Sequence, residues 1–184
     1  MDRFLFVGDD LALDFINTRV RVRGRERELI ETAVDLEQWW AEASRRYPGL
    51  EPLAIPVSGT DLERLRAFRN MLREHVSSAV DRGRFDPSLS AQVNDVLSHA
   101  HPYVTADESA TRLDVRANDP RERILVAIAV AAANLVTQAD AERLHRCGGC
   151  ILHFYDRTKS GTRRWCSTRC FDRARAQQRR ATAG

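Results

Sequence analysis

The sequence predicts a mainly α-helical protein of the α+β class, with a helical N-terminal domain, a small β element and a compact C-terminal module. Two observations support this class. Apolar residues recur at helical spacing through much of the first 142 residues, as in amphipathic helices packed on one core. All four cysteines lie in the C-terminal quarter of the chain, where basic residues are also concentrated. We therefore expect two domains, residues 1–142 and residues 143–184.

The N-terminal segment is expected to contain an extended stretch, a short helix and a polar segment. FLFVG (4–8) predicts a short strand or an extended arm. LALDFINT follows it and predicts a helix for which Asp9 or Asp10 is the N-cap. RVRVRGRERE (19–28) carries an arginine at every second position, which predicts a polar loop or ribbon.

The second predicted helix is amphipathic. Thr32 or Asp35 is its expected N-cap, and Trp39 and Trp40 lie near its apolar face. Aromatic residues at helical spacing could serve as stacking platforms, but they belong to a core more often, so we assign this pair to the core. The segment PGLEPLAIPVSG (48–59) contains three prolines and predicts a linker over the surface.

Two further helices and a β element are expected next. One helix begins near Thr60; the other begins at Pro87 or Ser88 and ends near His99. The segment PYVTADESATRLDVRA (102–117) predicts two short strands around a turn. The helix that begins near Thr60 carries its apolar residues on one stripe: Leu62, Leu65, Phe68, Met71, Leu72 and Val76.

The last helix of the N-terminal domain contains the most apolar run of the chain. Asp119 and Pro120 form a start signal, and we expect the helix to end near Arg143. The run ILVAIAVAAANLV (124–136) is 13 residues long. A membrane-spanning helix needs about 20 residues, so this run predicts a buried core helix and no membrane association.

The cellular compartment is predicted from the N-terminus. MDRFLFVGDD contains early acidic residues and no apolar core of the length found in secretory signals. We therefore expect a cytoplasmic protein, in a compartment that keeps thiols reduced.

Charge is divided unequally between the two predicted domains. Residues 1–142 contain 18 basic and 24 acidic residues, a net charge of −6. Residues 143–184 contain 11 basic and 2 acidic residues, a net charge of +9. The C-terminal module is therefore the expected site of binding to a polyanion.

The cysteines have the spacing C-x2-C-x15-C-x3-C. Two close pairs separated by 15–20 residues are typical of a structural zinc site, in which four thiolates surround one metal ion. Two disulfides or four idle thiols are the alternative, which the reducing compartment disfavours. We predict one Zn²⁺ per chain, held by Cys147, Cys150, Cys166 and Cys170.

The module is expected to contain a knuckle, a β-hairpin and a helix. Gly148 and Gly149 stand where a tight metal-binding turn would need unusual backbone angles. ILHFYD and TRRWC flank the turn RTKSG, which predicts a hairpin between the two cysteine pairs. The second pair suits the first turn of a helix. His145 and His153 are expected not to bind the metal.

An arginine-rich helix follows the last cysteine at once. A helix held by a metal site, with guanidinium groups along it, suits a phosphate backbone or a groove. The alternative is a solvated, frayed C-terminal helix. The predicted nucleic-acid-binding residues are Arg163, Arg164, Arg169, Arg173, Arg175, Arg179 and Arg180.

Two stretches resemble known families. RRWCS (163–167), preceded by FYDRTKSG and followed by Cys170 and the arginine-rich helix, resembles the CGNR zinc finger. LALDFINT and the later DLEQWW resemble the ABATE domain, which usually precedes that finger in bacterial proteins. Together the resemblances cover nearly the whole chain. The signature tetrad reads CFDR (170–173) here and lacks Gly-Asn, and each cysteine pair is spaced more tightly than is usual in the family.

The resemblance implies a regulator of transcription, induced by stress, whose finger binds DNA. It implies that the N-terminal domain responds to an unknown small-molecule or protein effector. The altered tetrad should keep the metal ligands and change the base contacts, with Arg173 as the expected base reader. Asp14, Asn17 and Thr18 are the family's most recognisable polar residues, and they either line a ligand pocket or bridge neighbouring elements.

Other functions remain open at this stage. No nucleophile elbow, phosphate loop or HExxH motif occurs, so we predict that the chain is not an enzyme. The module could instead bind RNA, with aromatic residues that stack on bases, or act as a thiol redox switch that loses zinc on oxidation. A homodimer would raise affinity through avidity. The candidate stacking residues are Phe154, Tyr155, Trp165 and Phe171.

Overall fold

The structure is a computed structural model that describes residues 3–106, 111–138 and 140–182. Within these ranges the chain is mainly α-helical, with three two-stranded antiparallel hairpins, and it ends in a four-cysteine module with hairpin strands and a helix. The predicted fold class is therefore confirmed. The helices are α1 (Leu11–Ile16), α2 (Ala33–Arg46), α3 (Gly59–Arg82), α4 (Pro87–Leu97), α5 (Arg123–Gln138) and α6 (Thr168–Thr182). The strands are β1 (Arg19–Val22), β2 (Arg25–Glu28), β3 (Ala100–Ala106), β4 (Thr111–Ala117), β5 (Leu144–Arg146) and β6 (His153–Tyr155).

The helix starts follow local capping chemistry. The carboxylate of Asp10 accepts hydrogen bonds from the first-turn N–H groups of α1. Thr32 and Asp35 form a reciprocal capping box at α2, and Ser58 and Asp61 form another at α3. The segment RVRVRGRERE was predicted as a polar loop or a ribbon, and it forms the β1–β2 ribbon. Residues 4–8 were predicted as a strand or an extended arm, and they form an extended arm.

The core lies where the helices meet. All of α1 is buried, and it contacts α3, α5 and β6. Trp39 and Trp40 are buried with it, which confirms their assignment to the core. The apolar stripe of α3 also faces this cluster, except that Met71 is half-buried at its edge. The most apolar run of the chain forms α5, and its buried residues complete the same core.

The end of α5 differs from the prediction. The helix stops at Gln138 rather than near Arg143. The carboxylate of Asp140 accepts a hydrogen bond from the N–H of Glu142 and caps a separate 3₁₀ turn over Ala141–Arg143. The 3₁₀ turn therefore occupies residues that the prediction assigned to the long helix. The β3–β4 hairpin agrees with the prediction, and its connection at 107–110 lies outside the described residues.

The hairpin of the C-terminal module is also not where the sequence predicted it. Strand β5 pairs with β6, so the hairpin encloses the first cysteine pair instead of lying between the two pairs. The segment TRRWC forms no strand, because the carbonyl of Arg164 accepts a hydrogen bond from the N–H of Gly148 and therefore contacts the knuckle rather than β6.

Hydrogen bonds join the module to the rest of the chain. The side-chain amide of Asn17 donates to the carbonyl of His153 at 2.7 Å, and its oxygen accepts from the N–H of His153 at 2.9 Å. Arg73 donates to the carbonyls of Ile16 and Ile151, and the N–H of Tyr155 donates to the carbonyl of Gly8. None of the helices in the described ranges is long and apolar enough to cross a membrane.

Candidate metal centre and basic surface

The four cysteine sulfur atoms form one cluster. All four lie within 4.8 Å of one another, and none is in a disulfide. The Sγ of Cys166 is 3.6 Å from the Sγ of Cys150 and 3.6 Å from the Sγ of Cys170. Sulfur atoms bound tetrahedrally to zinc at about 2.3 Å lie about 3.8 Å apart, whereas a disulfide brings them to about 2.05 Å. The cluster therefore has the dimensions of a four-thiolate zinc site.

The first cysteine pair lies in the turn of the β5–β6 hairpin. The N–H of Cys147 donates to the carbonyl of Leu152 at 2.9 Å and closes the knuckle. A Cβ on Gly149 would lie 3.2 Å from the carbonyl oxygen of Cys170, closer than is usual for a Cβ, so the close approach of α6 favours glycine here. The expectation of unusual backbone angles at Gly148 and Gly149 is wrong, because neither has a positive φ.

The second pair lies at the start of α6. Cys166 precedes the helix and Cys170 is in its first turn, as predicted. The hydroxyl of Ser167 accepts a hydrogen bond from the N–H of Cys170 at 3.3 Å, which orders this turn. The metal ligands therefore fix the base of α6 against the knuckle.

Hydrogen bonds to sulfur match the demands of a thiolate site. The N–H groups of Gly149 and Cys166 donate to the Sγ of Cys147 at 3.4 and 3.3 Å. Hydrogen bonds from the thiols of Cys150 and Cys166 lower the pKa of Cys147, and the corresponding bond from Cys150 to Cys147 raises the pKa of Cys150 to about 12. The protons of neighbouring thiols stabilise one thiolate. All four can ionise together only with a cation, and a soft divalent ion such as zinc suits four sulfur ligands.

The two nearby histidines lie outside the cluster. The ring of His145 is tilted against Phe154, with 5.6 Å between the ring centres. The Nε2 of His153 lies 3.2 Å from the hydroxyl of Ser77, and burial together with Arg73 lowers the pKa of His153 to about 3. Among the described residues, the metal-binding group found here consists of the four cysteines alone.

Comparison with protein families agrees with this architecture. A model named ABATE, described as "Putative stress-induced transcription regulator", matches residues 9–139. The chain belongs to the ABATE family. The CGNR zinc finger model matches residues 143–183, and the clustered cysteines are consistent with one zinc ion per chain. No curated protein matches the sequence.

One of the seven arginines of the predicted surface is turned inward in the CGNR finger. The guanidinium of Arg163 donates to the carbonyls of Trp165 and Cys166 and pairs with Asp9 at 2.5 Å. It also lies 4.4 Å from the ring centre of Phe154. These contacts join the loop before Cys166 to the ABATE domain, so we expect Arg163 to stabilise the finger rather than contact phosphates.

Arg173, the expected base reader, also contacts the metal centre. Its guanidinium donates to the carbonyl of Gly149 at 2.6 Å and to the Sγ of Cys170 at 3.3 Å. The side chain remains exposed at the surface of α6. Arg173 therefore joins α6 to the knuckle and can support the metal site as well as meet a ligand.

The remaining arginines of the set are exposed on the finger. Arg175 lies 5.5 Å from the ring centre of Phe171. Arg164 precedes the second cysteine pair, and the others follow α6 to its end. The structure therefore leaves five exposed guanidinium groups besides Arg173: Arg164, Arg169, Arg175, Arg179 and Arg180.

The three polar residues of the family signature connect elements of the ABATE domain. The carboxylate of Asp14 accepts hydrogen bonds from the N–H of Gly8 at 2.6 Å and from the hydroxyl of Tyr47. Asn17 pairs with the backbone of β6, and the hydroxyl of Thr18 accepts from Arg69 at 2.9 Å. All three are buried. Their contacts match the bridging alternative, and the ligand-pocket assignment for them stays a prediction.

Sequence analysis missed Asp156, which organises the loop between β6 and Cys166. Its side chain is fully buried and accepts hydrogen bonds from the N–H groups of Thr158 and Arg163, both at 2.8 Å. Burial raises the pKa of this carboxyl, but the hydrogen bonds outweigh burial and lower it overall. The signal was the Asp-x-Thr order, because aspartate often accepts from the N–H two residues on.

Proposed function

We propose that the chain is a cytoplasmic transcription regulator that binds duplex DNA through its CGNR finger. In this proposal the zinc ion is structural, no catalytic step occurs, and the ABATE domain responds to a small molecule or a protein. The observation that carries the proposal is the position of α6. Its first turn is held by the metal centre, and exposed arginines follow it along the helix: Arg169, Arg175, Arg179 and Arg180.

The helix geometry supports contact with a groove. At 3.6 residues per turn, Arg169, Arg173 and Arg180 share one stripe of α6, while Phe171 and Ala174 are turned toward the finger. The distance from Arg169 to Arg180 along the axis is about 16 Å, at 1.5 Å per residue. The major groove of B-DNA admits an α-helix, so such a stripe can reach phosphates on both sides of the groove.

The charge of the finger supports the same partner. Residues 143–184 carry a net charge of +9, while residues 1–142 carry −6. Five exposed arginines that each neutralise a phosphate would release condensed counterions, which is the main source of affinity in such complexes. The acidic parts of the ABATE domain would repel the duplex, so contact should be limited to basic surfaces.

The test compares two double variants of the zinc-loaded full chain. Arg164→Gln with Arg169→Gln removes two charges from the finger, and Arg45→Gln with Arg121→Gln removes two exposed charges from the ABATE domain as the control. Affinity for a duplex is measured by fluorescence anisotropy at several salt concentrations. We expect the finger variant to lose on the order of tenfold in affinity and the log–log salt slope to fall by about 2. Equal binding by the two variants would refute the proposal.

A cleft in the ABATE domain supports the sensing half of the proposal. Its volume is about 630 Å³, and it lies between α2 and the proline-rich segment, lined by Trp40, Leu50, Leu53 and Ile55. The hydroxyl of Ser44 borders it, buried and without a hydrogen-bond partner in the described ranges. An apolar molecule with one polar group would satisfy this hydroxyl.

Thermal-shift screening against small amphipathic compounds tests this cleft. A compound that binds there should raise the melting temperature of the wild type and lose much of that effect in Ser44→Ala. A matched control is Ser90→Ala, an exposed serine of α4. Stabilisation that is unchanged in Ser44→Ala would place the effector elsewhere.

Binding to RNA is a second candidate, favoured by one surface feature. The rings of Trp165 and Phe171 are half-exposed and meet edge to face, with 5.0 Å between their centres. With Arg164 they line a cleft of about 430 Å³, and aromatic rings beside a cation are typical of base-stacking sites. Phe154, in contrast, is fully buried and unavailable for stacking. Affinities for duplex DNA and for single-stranded RNA, measured at one salt concentration, distinguish the two candidates.

A further inference from the structure

The β1–β2 hairpin carries a second basic surface, separate from the arginines of the CGNR finger. Its ten residues contain arginines at five alternating positions: Arg19, Arg21, Arg23, Arg25 and Arg27. All but Arg19 are exposed. The hairpin is therefore a positive region within the otherwise acidic ABATE domain.

The register of the hairpin leaves one of its faces neutral. Arg19 is paired with Glu28 and Arg21 with Glu26, so these four residues share a face. On that face the guanidinium of Arg19 lies 2.9 Å from the carboxylate of Glu26, and the guanidinium of Arg21 lies 3.6 Å from it. Glu28 is paired with the buried Arg69 of α3. The charges of this face are therefore largely compensated within the protein.

The other face and the turn are not neutralised. Arg25 is opposite Val22, and Arg27 is opposite Val20, so the two arginines share the valine face. Together with Arg23 in the turn they are exposed. Within the part of the chain that the structure describes, no ion pair or hydrogen bond is found for the side chains of these three arginines. Three cations are thus available to a partner on one side of the hairpin.

The turn holds an arginine where the backbone disfavours one. Arg23 has φ +51° and Gly24 has φ +81°, the signs of a two-residue type I′ turn. Asparagine, aspartate or glycine usually occupies the first of these positions, because larger side chains are strained at positive φ. Strained residues that persist on an exposed turn are often there for function rather than for the fold.

The hairpin also contacts the finger. Val20 is buried in one cluster with Cys147, Cys166 and Cys170. Because Val20 lies on the same face as Arg25 and Arg27, the uncompensated arginines are on the side of the hairpin that packs against the metal module. The hairpin therefore adjoins the metal module across the domain boundary.

From these observations we propose that the β1–β2 hairpin is a second DNA-contacting element, which binds the phosphates of the same duplex through Arg23, Arg25 and Arg27. This inference rests on the proposed function of the finger. A strand of four residues is about 13 Å long at 3.3 Å per residue, and a two-stranded ribbon fits a major groove about 12 Å wide. Duplex DNA is the partner that this shape and charge favour, and it would be bound at two adjacent points.

The experiment uses the zinc-loaded full chain and a double variant that spares the fold. Arg23→Asn removes a charge and supplies asparagine before glycine, the favoured type I′ pair, so the turn should be at least as stable. Arg25→Gln removes the second charge. The matched control is Arg45→Gln with Arg121→Gln, and the finger variant is Arg164→Gln with Arg169→Gln. All are titrated with the same duplex by anisotropy over several salt concentrations.

We expect the hairpin variant to bind the duplex on the order of tenfold more weakly than the control, with a salt slope lower by about 2. Hairpin and control variants that bind alike, while the finger variant is weakened, would overturn this inference and leave the proposed function intact. If the finger variant also binds like the control, the proposed function itself fails. A loss of affinity for single-stranded RNA alone would overturn the assignment to duplex DNA.

Discussion

The ABATE domain and the CGNR finger are stabilised in different ways. The ABATE domain buries one large apolar cluster to which α1, α2, α3, α4 and α5 all contribute. In the described part of the finger, Leu144 packs into the ABATE core, and the cluster around the metal centre contains Leu152, Phe154 and three cysteines, together with Val20 from the ABATE domain. A cluster this small cannot offset the entropy of ordering more than thirty residues, so the finger depends on its metal ion and its neighbour. We expect the ABATE domain to keep its fold without the metal ion, because most of its core residues lie outside the finger.

The short helix α1 connects the two regions. It is buried at the centre of the ABATE core, and Asn17 at its end makes both hydrogen bonds to the backbone of β6. Arg73 extends this connection from α3 to the carbonyl of Ile151, beside the knuckle. A change in the packing of α1 would therefore reach the metal module through a few contacts, those of Asn17 and Arg73.

The largest expected effect is loss of the metal centre in Cys170→Ser. Zinc contributes about 10–16 kcal/mol to the folding of small zinc modules, so the finger should lose its order. Metal analysis should give well under one zinc per chain, and amide exchange should show lost protection in residues 144–182. Residues 11–136 should stay protected, because their core lacks the metal. Global unfolding would show that the two regions are not independent in this way. Ser98→Ala, in the ABATE domain, is the control for handling and oxidation.

Truncating a buried side chain of the ABATE core should destabilise the ABATE domain, in contrast to loss of the metal, which should affect the finger. Leu13→Ala removes a fully buried side chain from α1 and should lower the free energy of unfolding by about 2–5 kcal/mol. Val34→Ala is the matched control, since Val34 is 57% exposed and its truncation should cost little. Chemical denaturation followed by tryptophan fluorescence measures both. A Leu13→Ala variant as stable as the control would contradict the assignment of α1 to the centre of the core.

Features that depend on nearby residues could be predicted from the sequence. The caps at Asp10 and Thr32 act over two or three residues, so the helix starts were recognisable. The metal ligands were recognisable as well, since zinc sites of this class place their ligands in two close pairs. The apolar stripe of α3 followed from the helical period.

Features that depend on distant residues could not be predicted. Arg163 appeared to belong to the basic surface, but its ionic partner Asp9 is 154 residues away in the sequence. Asn17 pairs with His153 over 136 residues. The turn RTKSG indicated a hairpin, whereas the buried carboxylate of Asp156 uses that segment for side-chain hydrogen bonds. Only the folded arrangement shows which polar groups find each other.

The stability of the ABATE domain should depend on pH through the buried carboxyl of Asp14. Burial raises the pKa of Asp14 from 3.8 to about 6, although Tyr47 and Gly8 donate hydrogen bonds to it. Between pH 4 and 6 the folded chain then holds a proton that the unfolded chain has released. The free energy of unfolding should therefore fall as pH rises through this window, because the folded state binds more protons.

Asp14→Asn isolates this effect. Asparagine keeps an acceptor for the N–H of Gly8 and does not titrate, so the variant should be more stable than the wild type at pH 7.5 by up to about 3 kcal/mol. The difference should be mostly lost by pH 4, close to the unfolded pKa of 3.8, because further acidification adds protons to the unfolded state as well. Urea unfolding at pH 4, 5, 6 and 7.5 measures this difference in the free energy of unfolding. A difference independent of pH would contradict a raised pKa for the buried carboxyl of Asp14.

The smallest expected effect comes from removing the hydrogen bonds between Asn17 and the backbone of β6. Asn17→Ala leaves the N–H and carbonyl of His153 without their partners and should cost about 1–3 kcal/mol. Asn94→Ala, at an exposed position on α4, is the control. Zinc should remain bound at one per chain, while amide exchange at β6 should speed up. If β6 exchanges at the wild-type rate, Asn17 does not hold the finger to the ABATE domain.

Binding of duplex DNA by a metal-fixed basic surface is our main proposal. Its most direct test is the salt dependence of duplex affinity for the zinc-loaded protein and for the same protein after chelation. Five phosphate contacts of the finger alone predict a log–log slope of roughly −4 to −5 with zinc bound, and the proposed hairpin contacts would make it steeper. Chelation should weaken binding at every salt concentration, because α6 loses its fixed base. A flat salt dependence of the zinc-loaded protein, or equal affinity with and without zinc, would contradict the account.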